Sequence, residues 1–268
     1  MHAYKVRRTN DEEGFFMESV RVILWGLGAM GSGIAKLLCE KRGVSIVGAI
    51  AGRPDKRGRD LGEVIGLGRN LGVTVDCDSR RVLGSVEADI VVLATDSFLK
   101  NVYPQIELIL KSGKSCVTIA EEMSNPYTVD ERLSNQIDEL AKSMGVSVLG
   151  TGINPGFVLD TLIIALSGAC RRVDRIRASR INDLSPFGST VMRTQGVGVS
   201  PEQFREGIKD GSIVGHIGFR QSIPMIADAL GLGLDRVIEK REPIISKTHR
   251  ETPYVTVEPG MVAGCRHT

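Results

Sequence analysis

The fold is decided by Val22-Ile23-Leu24-Trp25-Gly26-Leu27-Gly28-Ala29-Met30-Gly31, in which an apolar run leads directly into a GxGxxG pattern. In such a pattern the first glycine permits a tight turn, the second lets a pyrophosphate approach the backbone, and the third allows the next helix to pack closely. The N-terminus of that helix presents free N–H groups to the phosphates. Because the pattern lies between a predicted strand and a predicted amphipathic helix, it predicts a dinucleotide site. We assign the cofactor contacts to five residues of this loop: Gly26, Gly28, Ala29, Met30 and Gly31.

Short apolar runs alternate with amphipathic helical patterns over residues 20–150. The run at residues 90–94 is continuously apolar, which is typical of a strand buried on both faces of a parallel sheet. Similar runs occur at residues 45–50 and 116–120. Alternating βα units predict a doubly wound parallel sheet, so the predicted fold class is α/β, with a Rossmann-type NAD(P)-binding domain at residues 20–150.

The second half of the chain predicts an α+β domain at residues 151–268. Asn154-Pro155 is predicted to start a helix, because the first helical position tolerates the missing N–H of proline. Ser200-Pro201-Glu202-Gln203 has the form of a capping box, which predicts another helix start. The remaining predicted elements are a strand at residues 175–179, a helix at residues 222–230 ended by Gly231, and strands at residues 234–245 and 254–257.

Size and composition are those of a globular protein with two domains. The chain has 268 residues, against about 150 residues per domain. Lys+Arg 34 and Asp+Glu 32 leave a net charge of +2, which gives no electrostatic signal for nucleic acid or a membrane surface. No apolar run reaches the roughly 18 residues of a membrane span, and the five cysteines form no CxxC pair. We therefore predict a cytoplasmic protein with no nucleic-acid or membrane partner, preceded by a disordered tail at residues 1–19.

The residues after the second predicted strand bear on the choice between NAD and NADP. An acidic residue at that strand end binds the ribose 2′-hydroxyl of NAD, whereas an arginine accommodates the 2′-phosphate of NADP. Here Ala51-Gly52-Arg53-Pro54-Asp55-Lys56-Arg57-Gly58-Arg59 has no carboxylate at the strand end and four cations after it. We predict that NADP(H) is preferred, with Arg53 foremost and Arg57 beside it. A solvated basic loop is the alternative, and NAD stays possible because Asp55 would reach a ribose in a tight turn.

Thr95 follows the predicted core strand at residues 90–94. In α/β sheets, ligands bind outside the carboxyl ends of the strands. Thr95 is therefore predicted to line the ribose and nicotinamide side of the cofactor, the alternative being a simple N-cap of the next helix.

Two adjacent carboxylates, Glu121 and Glu122, follow the next predicted core strand. Adjacent strand residues point to opposite faces, so only one of them would face the cleft. A hydride cannot leave a carbon that bears an ammonium group, so a base must hold the neutral amine and stabilise the iminium that follows. Glu121 and Glu122 are therefore the catalytic candidates. The alternative is a solvated pair favoured by a helix N-terminus.

Asn154, Gly156 and His216 are the candidate substrate contacts. Asn154 would cap a helix whose mouth is kept free of side chains by Gly156, and free N–H groups there would hold the carboxylate of an amino-acid substrate. His216 lies in the glycine-flanked stretch Gly215-His216-Ile217-Gly218, which suggests a turn facing the cleft. An interdomain hinge and a structural histidine are the alternatives. The histidines and cysteines show no metal-ligand spacing, so no metal is predicted.

Three stretches resemble a known family: Ile119-Ala120-Glu121-Glu122-Met123-Ser124-Asn125-Pro126, Gly150-Thr151-Gly152-Ile153-Asn154-Pro155-Gly156-Phe157-Val158-Leu159-Asp160 and Gly215-His216-Ile217-Gly218. They are similar to the 2,4-diaminopentanoate dehydrogenases, which form one group with the native amine dehydrogenases and are related in fold to dihydrodipicolinate reductase. The resemblance runs from about Val20 to the last residue, and its most specific motif is the second stretch.

The resemblance implies NAD(P)-dependent, reversible oxidative deamination of 2,4-diaminopentanoate or a related amine, with release of ammonia. It also implies that a glutamate of the EE segment holds the amine, a role that maps to Glu121 or Glu122, and we favour Glu121. The family's second domain forms the substrate wall and a dimer contact, so a homodimer is expected. That domain is also expected to continue beyond Thr268.

The chain departs from the family pattern in two places. The acidic residue common at the end of the second strand is absent, which weighs against NAD, and residues 182–186 match no family motif. Two other functions stay open: an imine reductase similar to dihydrodipicolinate reductase, although its basic histidine-pair and lysine pattern is not evident, and a non-catalytic NADP-binding redox sensor.

Overall fold

A computed structural model describes residues 19–268, so the predicted tail, apart from Ser19, lies outside the described residues. The strands of the main sheet are β1 (Val20–Trp25), β2 (Val44–Ile50), β3 (Val75–Asp76), β4 (Ile90–Leu93), β5 (Ser115–Thr118) and β6 (Val148–Gly150). They pair in parallel in the order β3-β2-β1-β4-β5-β6. This is the strand order of a doubly wound dinucleotide-binding sheet, and the predicted α/β class is confirmed.

Helices cover both faces of this sheet. They are α1 (Ala29–Cys39), α2 (Leu61–Val64), α3 (Ser79–Ser85), α4 (Leu99–Lys111) and α5 (Glu131–Met144). Alternate residues of β1 enter different cores: Ile23 and Trp25 pack on the α4 side, whereas Val22 and Leu24 pack on the α1 side. Period-2 alternation between two apolar layers explains why the strands read as continuous apolar runs.

The reversal in strand order places the candidate site. β1 lies between β2 and β4, and the chain leaves β1 and β4 at the same edge of the sheet. Ligands bind at this switch point because the loops after the two strands diverge to opposite faces and leave a crevice between them. Gly26 follows β1 directly, Thr95 is the second residue after β4, and Glu121 lies three residues beyond the end of β5.

The second half of the chain contains short helices and two small antiparallel sheets. The helices are α6 (Thr161–Ser167), α7 (Ser189–Thr194), α8 (Pro201–Asp210) and α9 (Phe219–Leu230), and the strands are β7 (Arg241–Ile245), β8 (Arg250–Glu251), β9 (Thr256–Val257) and β10 (Val262–His267). β7 pairs with β10, and β8 pairs with β9. The predicted capping box opens α8, since Ser200 and Gln203 exchange hydrogen bonds between side chains and N–H groups, and Gly231 ends α9 as predicted. Within residues 19–268 no helix is both long and apolar enough to cross a membrane.

The predicted helix start at Asn154-Pro155 is wrong. Gly156 has a φ of +116°, which no α-helical residue adopts, so a helix cannot run through it. The helix instead begins at Thr161, where the Asp160 carboxylate accepts the Thr161 N–H and caps the first turn.

Two predicted strands also differ from the structure. Residues 175–179 are exposed and form no strand, because within the described chain their backbone groups find no neighbouring strand to pair with. The strand predicted at residues 234–245 is confined to Arg241–Ile245, the segment that has β10 as its partner. An alternating pattern therefore became a strand only where a second strand was available.

Candidate active site

The three glycines of the GxGxxG loop meet three different surroundings. A Cβ at Gly26 would lie 2.3 Å from the Ala94 carbonyl oxygen, and a Cβ at Gly31 would lie 1.8 Å from the Gly26 oxygen. A Cβ at Gly28 would meet nothing within 4 Å. The first and third glycines are thus required by backbone packing, whereas the second leaves open space at the mouth of α1. This division fits a pyrophosphate that approaches the backbone at Gly28.

The N-terminus of α1 is suited to an anion. Gly28 is its N-cap and provides no side-chain hydrogen bond, so the first N–H groups of the helix are left for a ligand. No acidic residue lies in the first turn. Ala29 and Met30, the other predicted contacts, are exposed at this end. The residues present therefore fit the phosphates of a nicotinamide dinucleotide.

The cations after β2 are already partly engaged. The Arg53 side chain is 75% exposed and forms two hydrogen bonds with the Asp55 carboxylate, at 3.1 and 3.0 Å. Arg57 Nε lies 3.8 Å from Asp76 Oδ1, which is an ion-pair distance. Lys56 was not among the predicted contacts, yet its Nζ donates to the Leu27 carbonyl oxygen at 2.5 Å. A lysine is thereby anchored on the glycine loop itself, next to the open space at Gly28.

Thr95 is exposed at the end of β4 and does not cap α4. Its Oγ1 donates to Gln105 Oε1 at 2.5 Å, about two turns into that helix. The N-cap of α4 is Phe98, whose own N–H donates to Asp96 Oδ1 at 2.9 Å just before the helix. The alternative interpretation of Thr95 as an N-cap is therefore wrong, and Thr95 remains at the sheet edge where a ribose or nicotinamide would lie.

The two adjacent carboxylates have different surroundings. The prediction treated them as adjacent residues of a strand. In the structure they instead open a short 3-10 helix, Glu121–Ser124. Glu122 Oε2 accepts the Leu99 N–H at 2.7 Å, at the first turn of α4. The Glu121 carboxylate is half-buried and forms no hydrogen bond or ion pair with the residues described. Of the two carboxylates, Glu121 is therefore the one available to contact a substrate.

A glycine holds this 3-10 turn in place. A Cβ at Gly150, the last residue of β6, would lie 1.9 Å from the Met123 carbonyl oxygen. Because no side chain intervenes, the turn packs directly on the end of β6, and Met123 is buried there. Glu121 is therefore set at the carboxyl edge of the sheet by backbone contact.

The loop between β6 and α6 is organised by a buried carboxylate that sequence reasoning missed. Asp160 is fully buried, and its Oδ2 accepts the Gly156 N–H at 2.7 Å and the Ser222 hydroxyl at 2.8 Å. Charge-assisted hydrogen bonds of this kind are about twice as strong as neutral ones. Asp160 thus ties the loop to α9, and the Gly156 N–H is committed within the protein and is not free for a ligand.

Asn154 and His216 come together. Asn154 Nδ2 lies 2.8 Å from His216 Nε2, although the residues are 62 positions apart. Burial, assisted by the charge of Arg180, lowers the pKa of His216 to about 4. His216 is therefore neutral near pH 7, and its Nε2 accepts the amide proton. A Cβ at Gly218, two residues on, would lie 2.6 Å from Pro155, so the two segments are in direct contact.

The structure thus gathers most predicted residues at one edge of the sheet and reassigns some of their contacts. Lys56 was missed because it stood among other cations. Asp160 ends the most specific family stretch, but its role depends on a partner 62 positions away, which that stretch does not reveal. Within residues 19–268, no three His, Cys, Asp or Glu side chains cluster in a way that would hold a metal ion.

Two family models match the chain. The model of the dihydrodipicolinate reductase N-terminus matches residues 20–148, and that of the 2,4-diaminopentanoate dehydrogenase C-terminal domain matches residues 157–268. The first covers the parallel sheet, and the second covers the helices and small sheets that follow.

Similar proteins extend over most of the chain. A 2,4-diaminopentanoate dehydrogenase of Acetoanaerobium sticklandii is 43% identical over 251 residues, which are 93% of this chain and 71% of that protein. An amine dehydrogenase of Streptomyces virginiae is 25% identical over 222 residues, which are 82% of this chain and 62% of that protein. The solved structure of an amine dehydrogenase from Mycobacterium smegmatis matches with a TM-score of 0.80 and 33% identity, over 92% of this chain and 72% of that one.

Proposed function

This chain belongs to the 2,4-diaminopentanoate dehydrogenase family, a family of oxidoreductases that act on CH–NH2 groups, and we propose that it catalyses the reversible oxidative deamination of 2,4-diaminopentanoate. The observation that carries this proposal is the Glu121 carboxylate, half-buried and without a partner among the described residues, at the sheet edge that also bears the glycine loop. A carboxylate so placed is suited to an amine beside a dinucleotide.

NADP is the proposed cofactor, with NAD as the alternative. The three glycines and the helix N-terminus fit a dinucleotide, and a bound nicotinamide would supply the hydride acceptor. The Asp55 carboxylate is occupied by Arg53, which leaves it poorly placed to accept a ribose hydroxyl. Arg53, Lys56 and Arg57 all follow the end of β2, and a guanidinium binds a 2′-phosphate well through paired hydrogen bonds. The positive charge after β2 therefore favours NADP over NAD.

Glu121 is proposed to hold the amine during the reaction. Its carboxylate accepts hydrogen bonds from the neutral amine and takes up the proton that the ammonium form must lose before hydride transfer. Once that proton has passed on to solvent water, Glu121 is ionised again, and its negative charge stabilises the iminium formed at the carbon. Water adds to the iminium, ammonia leaves, and a carbonyl product remains.

Asn154 and His216 are proposed to form part of the substrate wall. Since His216 is neutral, its ring places no positive charge against the amine that Glu121 holds. The hydrogen bond between the two side chains fixes their orientation, so they present a rigid polar surface. The Gly156 N–H already donates to Asp160, so we propose that Gly156 does not bind the substrate through this group. Its contribution is the lack of a side chain, which leaves room for the substrate.

A homodimer in the cytoplasm is proposed as the working form. α6 and the loop before it expose Ile153, Phe157 and Leu166, with Ile153 71% accessible, and no residue of α6 is buried. An apolar patch of this kind marks an interaction surface, and a two-fold dimer is the commonest closed assembly.

Turnover assays distinguish this function from the two alternatives. The protein is incubated with NADP or NAD and a panel of diamines and amino acids, and the absorbance of reduced cofactor is followed; a ring imine is tested in the reverse direction. We expect turnover with 2,4-diaminopentanoate. Turnover of the ring imine alone would indicate an imine reductase, and cofactor binding without any turnover would indicate a redox sensor; either result contradicts the proposal.

A further inference from the structure

A cavity of about 540 Å³ lies outside the residues assigned above. It is lined by Thr128 of the first domain and by residues of α8, α9, β7 and the segment before β7: Ile208, Arg220, Pro224, Val237, Glu239 and Arg241. Its volume is in the range of small-molecule sites. The charged groups of its lining are two guanidinium groups and one carboxylate, so one positive charge is in excess.

The carboxylate does not satisfy both arginines. Glu239 Oε2 accepts Arg220 Nε at 3.1 Å, whereas Arg241 Nη2 lies 3.7 Å from the same oxygen, which is an ion-pair distance but not a hydrogen bond. Arg241 Nε is buried and has no hydrogen-bond partner in the described part of the chain. A buried charged donor without an acceptor is costly. The Arg241 side chain lines the cavity, where the oxygen atoms of an anion would give its guanidinium charge-assisted hydrogen bonds.

A second group beside this cluster also lacks partners. The His267 side chain is 5% exposed, its Nε2 lies 4.0 Å from Glu239 Oε1, and neither ring nitrogen forms a hydrogen bond within residues 19–268. Burial and the charge of Arg241 lower the pKa of His267, so the ring adds no charge near pH 7. Its ring packs edge-on against Phe219, which in turn packs against His216. The cluster is thus connected to the substrate wall by two aromatic contacts.

We propose that this cavity is a binding site for a small carboxylate or phosphate anion, held by Arg220 and Arg241. Two guanidinium groups that approach one oxygen pair form the charge-assisted hydrogen bonds that Arg241 lacks, and Glu239 holds both arginines at the cavity wall. The anion has two sources, the carboxylate of the amino-acid substrate or a separate free anion. The second source does not depend on the function proposed above.

Isothermal titration calorimetry of the whole chain, in chloride buffer, tests the site with three probes: 2,4-diaminopentanoate, butane-1,3-diamine, which is the same molecule without its carboxylate, and inorganic phosphate. The variants are Arg220→Met, Arg241→Met and Arg241→Lys. Arg205→Met is the matched control, since Arg205 is an exposed arginine of α8 paired with Glu202. Arg220 is 77% exposed, so its replacement leaves the fold intact even if Arg241→Met proves unstable.

We expect at least tenfold weaker binding of an anionic probe in Arg220→Met and Arg241→Met, and unchanged binding in Arg205→Met. Weaker binding of 2,4-diaminopentanoate, with butane-1,3-diamine unaffected, assigns the site to the substrate carboxylate. Loss of phosphate binding, with 2,4-diaminopentanoate unaffected, assigns it to a separate anion. If no anionic probe binds more weakly to Arg220→Met or Arg241→Lys than to the unmodified chain, the proposal is overturned. Because binding is measured without turnover, failure of the proposed reaction would be seen separately.

Discussion

Glu122 Oε2 accepts the Leu99 N–H at 2.7 Å, so one of two adjacent carboxylates is committed to the first turn of α4. The neighbouring carboxylate of Glu121 has no such commitment among the described residues. Two residues of the same type, side by side, therefore have separable roles, and substitution of each tests this directly.

Glu121→Gln is expected to lower kcat for deamination by about 10²–10⁴-fold, the usual contribution of a general base. The amide keeps the volume of the side chain but cannot take up the proton of an ammonium group. The dissociation constant for NADPH, measured by the fluorescence of this reduced cofactor, should not change. Deamination at an unchanged rate would remove Glu121 from the mechanism.

Glu122→Gln serves as the matched comparison and should affect stability more than chemistry. It weakens the cap of α4 and removes a negative charge from the helix N-terminus, which costs about 0.5–2 kcal/mol. Thermal denaturation should show a lower Tm, with kcat within a fewfold of the unmodified enzyme. The reverse outcome, a normal Tm with abolished turnover, would exchange the roles of the two glutamates.

Gly28→Ala should weaken cofactor binding, whereas Gly31→Ala should lower the stability of the fold. A Cβ at Gly28 enters open space, so Tm is expected to hold while NADP binding weakens at least tenfold, because the methyl group occupies the approach to the backbone. A Cβ at Gly31 would lie 1.8 Å from the Gly26 oxygen, so Gly31→Ala should destabilise the whole domain. Calorimetric binding and thermal denaturation of both variants check this. Undiminished NADP binding in Gly28→Ala would contradict the predicted site.

Arg53→Ala is expected to reduce kcat/KM for NADP by about tenfold or more, with little effect on NAD, since a charge-assisted hydrogen bond contributes about 1.5–3 kcal/mol. Replacement also releases the Asp55 carboxylate from its pairing, which would favour an unphosphorylated ribose. Steady-state kinetics with both cofactors measure the ratio. A clear preference of the unmodified enzyme for NAD would exclude the phosphate role of Arg53.

Acid should destabilise the fold through His216. Its pKa is about 4 in the folded chain and 6.5 as the ordinary value, so the unfolded chain binds the extra proton first. The stability from keeping this ring neutral is fully present above pH 6.5 and is lost as the pH falls toward 4. Tm measured over that range should fall less in His216→Gln than in the unmodified chain. Parallel pH profiles of the two would mean that His216 titrates normally.

The features that depended on local sequence were predictable. The GxGxxG loop lies within a few residues of β1 and α1, and the Ser200 capping box is a contact between residues three apart, so a linear pattern carried enough information. The α/β class followed from repeated apolar runs, because each strand of a parallel sheet is buried on both faces.

The features that depended on distant partners were not predictable. The pairs Asn154–His216 and Asp160–Ser222 each join residues 62 positions apart, and no linear pattern specifies which residues meet across such a distance. The helix start at Pro155 was predicted from a local preference, which the left-handed conformation at Gly156 overrides. Residues 175–179 had the alternation of a strand, but the described part of the chain offers no strand that pairs with them.

The buried Asp160 carboxylate has a dynamic consequence. Since one oxygen accepts both the Gly156 N–H and the Ser222 hydroxyl, opening of the loop and release of the first turns of α9 are coupled events. The two segments should therefore exchange their amide hydrogens as one cooperative unit, with a common opening free energy. A ligand that orders the loop would slow amide exchange in α9 as well. Because Phe219 is the first residue of that helix, the same ligand would reduce the motion of the rings that pack against it, those of His216 and His267.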